Sequence, residues 1–135
     1  MPIDYRIDAD RRLVIASGRG IVTDQDVFGY QREVWSRLEL AGYDELIDMS
    51  AVQRIDVPSP QRVMELARLS AMADAGASAS KLAIVAPGDQ AFGLGRMYQV
   101  HRNLEGGSSK QVGVFRSQRE ALAFLGIEGE PPNGC

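Results

Sequence analysis

The chain has one cysteine, Cys135, and one histidine, His101, in 135 residues. A lone cysteine cannot pair within the chain, and a reducing, cytoplasmic setting is the expectation, because secreted chains of this size tend to use paired cysteines. A lone histidine leaves no histidine pair for zinc, and no metal or other cofactor is expected. No apolar run approaches the ~20 residues of a membrane-spanning helix. The opening MPIDYRIDADRR is charged from its fourth residue and has no apolar signal core. Lysine is scarce, at positions 81 and 110 only, so the basic residues are overwhelmingly arginine, as a GC-rich bacterial gene would encode. Net charge is −3, with arginine and aspartate interleaved. A nucleic-acid surface needs a basic stripe to displace counterions, and none is present.

What remains is an ordinary globular composition, long enough for one domain that buries roughly two-thirds of its unfolded surface without staples. IDYRID (3–8) and RLVIASGRGIV (12–22) flank an ADR turn and predict an antiparallel hairpin, with Gly18 and Gly20 marking a bulge. Thr23 stands three residues before Asp26 as a capping box. Val27, Tyr30, Val34, Leu38 and Ala41 then predict a first helix ending near Gly42. DELIDMS (44–50) predicts a short strand, followed by a connector to Ser59-Pro60. Val63, Leu66, Ala67, Ser70 and Ala73 form the inner stripe of a second helix, and 75–80 is a small-residue loop. KLAIVA (81–86) is too short for a helix and too continuous for an exposed strand, which places it inside the sheet. A third helix after PGD has the inward line Gly93, Met97, Val100 and Leu104, and GGSS ends it. QVGVFR (111–116) is a strand. SQREALAFLG is a last helix with Ser117 as cap, Glu120 at the capping-box position and Gly126 as stop. The result is an α/β fold of about five strands and four helices. Its sheet is mostly parallel with an N-terminal antiparallel hairpin, in a single domain over 1–126 with a disordered tail at 127–135.

The candidate motifs have plain structural readings. GDQAFGLGRMYQ holds Gly-x-Gly but lacks the third glycine of a dinucleotide fingerprint, since Tyr98 stands there, and it lacks Gly-Lys-Ser/Thr. Gly93 instead lets the third helix approach the sheet. His101 suits a half-buried or surface position beside the inner stripe. Cys135, in the tail, has no fixed base or oxyanion hole to make it a nucleophile. Ser59 before Pro60 is a favoured helix-start pair, since the serine oxygen caps an orphan N–H and proline lacks one. Arg96 and Tyr98 ask for more than packing. Arg96 either pairs with Asp48 or Asp89 across the helix starts or, with Tyr98 and Asp89, binds an anionic ligand at the strand ends. Phe28 and Trp35 are either core margin or an exposed apolar patch.

The combination LIDMS, IVAP, FGLGRMY and VFRS…EALAFL resembles the SpoIIAA-like branch of the STAS domains, related to the anti-sigma-factor antagonists, over nearly the whole chain up to Gly126. The resemblance implies a STAS-like sheet and a regulatory module that binds a protein partner. In that group a serine at the start of the second helix, within an Asp-Ser-Ser/Thr-Gly run just after the strand, is phosphorylated. Asp56 falls on the aspartate, but Val57 occupies the acceptor position and Ser59 comes two residues late. The expected function is therefore non-enzymatic partner binding through Asp48, Asp56, Ser59 and Arg62, without a conventional phosphoswitch. The alternative is a carrier of a small apolar or anionic ligand, with a cavity near Met97 and Trp35. An enzyme would need Arg96, Tyr98 and an aspartate in one cleft. Homodimerisation through the edge of the opening hairpin is also expected.

Overall fold

Asp8 to Arg12 reverse the chain tightly: the Asp8 carboxylate accepts from the Arg11 N–H at 3.1 Å, and Arg12 takes up a φ of 51°. This turn joins β1 (Ile3–Asp8) to β2 (Leu13–Thr23) as an antiparallel hairpin with Ile3 opposite Gly18 and Asp8 opposite Leu13. The computed structural model describes residues 2–74, 76–105 and 109–127. Of the tail expected at 127–135, Ile127 is described and donates its N–H to the Leu122 carbonyl at 3.0 Å, while residues 128 onward, Cys135 included, and the GGS of the expected helix break lie outside the described residues.

Five strands lie in the order β1-β2-β3-β4-β5, so each pairs with its neighbour in sequence. They are joined by helices from β2 onward, in a mixed α/β arrangement. After β2 come α1 (Asp24–Trp35), a 3-10 turn at Leu38–Leu40, β3 (Asp44–Asp56), α2 (Pro60–Asp74), β4 (Ser80–Val85), α3 (Asp89–Leu104), β5 (Lys110–Phe115) and α4 (Gln118–Leu125). Every pairing beyond the hairpin is parallel. The expected SpoIIAA-like sheet, parallel with an antiparallel opening, is the sheet observed.

Alternation along the strands separates two cores. Val14, Ala16, Leu82, Ile84, Val112 and Val114 face α1, α2 and α3. Leu13, Ile15, Leu46, Ala83 and Val85 face α4, which alone covers the other side through Ala121, Leu122 and Leu125. The caps read from sequence are formed at two helices. Thr23 Oγ1 accepts from Asp26 N at 3.1 Å while Asp26 Oδ2 accepts from Thr23 N at 2.9 Å, and Ser117 Oγ accepts from Glu120 N at 3.3 Å. Gly126 ends α4 with a φ of 75°.

Four elements differ from expectation. The connector after LIDMS is strand: β3 runs on to Asp56, pairing with the bulged second half of β2 until Asp56 meets Thr23. Here β4 no longer flanks it, and the Gln90 side chain takes the place of a neighbouring strand. Its Oε1 accepts from Ile55 N and its Nε2 donates to Ile55 O, both at 2.9 Å. The first helix stops at Trp35, and Leu38 and Ala41 point to solvent. In α3 the buried face is Gly95, Tyr98 and Arg102, while Gly93, Val100 and Leu104 are exposed. The glycine of close approach is Gly95, where a Cβ would lie 3.0 Å from Val114 Cγ1; at Gly93 it would meet nothing within 4 Å. Phe28 and Trp35 are core, and on α2 Ala73 is exposed while Ala71 and Asp74 are buried.

Candidate functional site

The residues selected at the start of the second helix are held by their own neighbours. Asp56 is gripped by Arg54, Nε to Oδ1 at 2.7 Å, which keeps its carboxyl below the ordinary aspartate pKa. Asp48 accepts from the N–H of Ser50 at 2.9 Å. Arg62 bridges Asp24 and Glu65, each at 2.7 Å, and its guanidinium lies 4.1 Å over the Phe28 ring. Ser59 offers its carbonyl to the Arg62 N–H at 3.1 Å. These contacts tie the start of α2 to the start of α1.

Arg96, Tyr98 and Asp89 are not brought together. Two residues apart on a helix are about 200° apart around its axis, so Arg96 faces solvent while Tyr98 faces the sheet. Asp89 pairs with Arg116 at 2.7 Å and Asp48 accepts from the Ser50 N–H, and among the described residues no ion pair joins Arg96 to either aspartate. There is no shared cleft for an Arg96–Tyr98–aspartate catalytic set. Among the described residues, no three His, Cys, Asp or Glu side chains are grouped as metal ligands.

Tyr98 instead belongs to a pocket between the sheet and α1, α2 and α3, with a cavity of about 130 Å³. Its walls are apolar. Partly exposed side chains from the carboxyl ends of the strands and the helix starts, such as Met49, Val57, Leu66 and Ala91, form its outer rim. Buried Tyr30, Gln31, Glu45 and Tyr98 form its inner end. Neither Met97 nor Trp35 lines it, so an apolar cavity exists but is displaced from the expected place. The pocket thus runs along the helix-covered face of the sheet, from Glu45 near the start of β3 to a rim at Val57 beyond its end.

The inner end is a buried polar network. Glu45 Oε2 accepts from Tyr30 OH at 2.5 Å and from Trp35 Nε1 at 3.0 Å. Its Oε1 lies 4.0 Å from Lys110 Nζ, which in turn sits 3.9 Å over the Trp35 ring. Burial raises the Glu45 pKa, opposed by Lys110 and by the two hydrogen bonds. On the other side Ser70 donates to Gln31 Oε1 at 3.0 Å. Tyr98 OH accepts from Arg102 at 2.8 Å, and Arg102 is paired with the buried Asp74. Burial also raises the Tyr98 pKa. Tyr98 was singled out from the sequence; Tyr30, Gln31 and Glu45 were not. The available signal was Glu45 itself, a carboxylate that alternation places on the same face as Ile47 and Met49.

No family model matches the chain, and no curated protein matches it. Among solved structures the fold is similar to that of an uncharacterised DUF3478-family protein from Shewanella loihica PV-4, described as having a SpoIIAA-like fold. The TM-score is 0.56 at 18% identity, over 91% of this chain and 93% of that one. The resemblance read from LIDMS, IVAP, FGLGRMY and VFRS therefore holds at the level of the fold.

Proposed function

We propose that this SpoIIAA-like chain is a non-enzymatic regulatory module whose input is a small, mainly apolar ligand rather than a phosphate, and whose output is the surface from Asp56 to Arg62, read by a protein partner. One observation carries this reading: Val57, where the resemblance places a phosphoacceptor, turns its side chain into the rim of the apolar pocket. The pocket and the candidate partner surface thus share a wall, so an occupant touches the segment that would report it.

A ligand seated there would bury its apolar surface against walls that are almost wholly apolar, which favours an apolar occupant by roughly 25 cal/mol per Å² of surface buried. The test is native mass spectrometry of protein purified from its own host, compared with the same sample denatured, for the wild type and for Leu66→Trp, which closes the pocket from α2. The expected result is a mass lost on denaturation of the wild type and absent from the variant, with the same circular dichroism for both. A bare wild-type chain carrying phosphate on Ser59 would return the site to a phosphoswitch and sink the ligand reading.

A further inference from the structure

Gln31 is more than nine-tenths buried, and its amide is oriented by Ser70, whose hydroxyl donates to Oε1. With Oε1 taken by Ser70, Nε2 is the remaining polar atom of the amide. Among the described residues Nε2 has no acceptor, and Gln31 lines the pocket. The nitrogen itself keeps contact with open space, so it is a donor that an occupant of the pocket can complete. The other polar groups of the inner end are already engaged: Tyr30 OH with Glu45, Glu45 with Tyr30 and Trp35, and Tyr98 OH with Arg102. Among the described residues no lysine, arginine or histidine lines the pocket, and Glu45 is the one charged residue that does.

The geometry points to a specific polar end for the ligand: an uncharged hydrogen-bond acceptor, a carbonyl or ether oxygen, received by Gln31 Nε2 at the inner end of the pocket, with the apolar body directed to the rim. This rests on the pocket being a ligand site. An anion entering here would lose its water and face the Glu45 carboxyl, while the nearby cations, Lys110 and Arg102, lie behind the lining and are already paired with Glu45 and Asp74. The cavity volume sets the size of the body. An apolar cavity of about 150 Å³ accepts benzene, so one ring or a chain of about six carbons fits within the pocket. Longer molecules would extend through the rim past Val57 and Leu66.

Acetophenone, ethylbenzene, benzoate and benzylamine form a matched probe set: one ring each, with a neutral acceptor, no polar group, a negative charge and a positive charge. Affinities are measured by titration calorimetry or ligand-observed NMR on the full chain. Acetophenone should bind about fivefold more tightly than ethylbenzene, the usual net value of one neutral hydrogen bond. Gln31→Leu should erase that preference while still binding ethylbenzene, and benzoate should bind most weakly. Equal affinity of the wild type for acetophenone and ethylbenzene would overturn the acceptor assignment and leave the pocket standing. That comparison needs no variant, so a Gln31→Leu chain that fails to fold does not remove the test. Tighter binding of benzylamine would move the polar contact to Glu45, and tighter binding of benzoate would show an anion site; either overturns the proposal. Failure of all four probes to bind would overturn the pocket reading as well.

Discussion

Lys110 and Glu45 are almost wholly withdrawn from water, with side chains 3% and 5% exposed, so removing one should expose the other to an unrelieved desolvation cost. At 4.0 Å and an effective dielectric of about 20, their attraction is about 4 kcal/mol. Breaking one partner of a buried pair typically costs about 3–5 kcal/mol, whereas replacing both by apolar groups is often near neutral. Lys110→Met keeps the stem over Trp35 and removes only the ammonium. Glu45→Gln keeps an acceptor for Tyr30 and Trp35 and removes the carboxylate. Each single change should cost about 3 kcal/mol, and the double variant should cost less than the sum by about 2 kcal/mol or more. Because burial holds the folded-state Glu45 pKa above its reference of 4.5, the folded state binds the proton more tightly than the unfolded one. The stability contributed by this group is therefore fully present below that reference value and is lost as pH rises through the folded pKa. Lys110 lowers that folded pKa, so without it the loss extends further upward. Urea denaturation of Lys110→Met should show a smaller deficit near about pH 5 than near about pH 8. Additive single effects, or a deficit independent of pH, would refute the coupling.

Gly95→Ala pushes a methyl to 3.0 Å from Val114 and should cost about 1–3 kcal/mol by overpacking. Gly93→Ala meets open space and should gain about 0.5–1 kcal/mol; urea midpoints that move in the same direction would contradict this placement of α3. Gln90→Leu removes both bonds to the Ile55 backbone and should cost about 1 kcal/mol, with faster hydrogen exchange at the Ile55 amide; an unchanged exchange rate would show that water replaces the side chain. Asp74→Asn leaves the Arg102 guanidinium, 2% exposed, without its carboxylate and should cost about 3–5 kcal/mol, whereas a loss below about 1 kcal/mol in thermal or urea unfolding would mean that Arg102 finds water instead.

The hairpin, the strand KLAIVA and the caps at Thr23 and Ser117 were legible because each rests on a local rule: alternation, a continuous apolar run, or a hydroxyl three residues ahead of an acidic side chain. The helix α3 was not. Its most apolar line contains Val100 and Leu104, which are 53% and 76% exposed, while Arg102 is 4% exposed. A pattern of apolar residues cannot show that an arginine is buried when the partner that makes burial tolerable, Asp74, stands 28 residues away on α2. The second half of β3 was missed for a related reason. It pairs with β2 beyond the reach of β4, so most of its side chains face solvent and carry no apolar signal. Among the candidate site residues, Tyr98 was found by its chemistry. Arg96 was grouped with it by nearness in sequence, which helical geometry undoes.

The neighbour-to-neighbour order of the strands sets the direction in which the molecule can assemble. Since every strand pairs with the one before it, each unit emerging during synthesis finds its docking edge already made, and little loop entropy stands in the way. The face under α1, α2 and α3 closes progressively in this manner. The opposite face does not: Leu13, Ile15, Leu46, Ala83 and Val85 have no cover until α4 arrives after the last strand. A chain lacking the eight residues of α4 would keep this apolar patch open to water on one side of the sheet, the kind of surface that promotes aggregation.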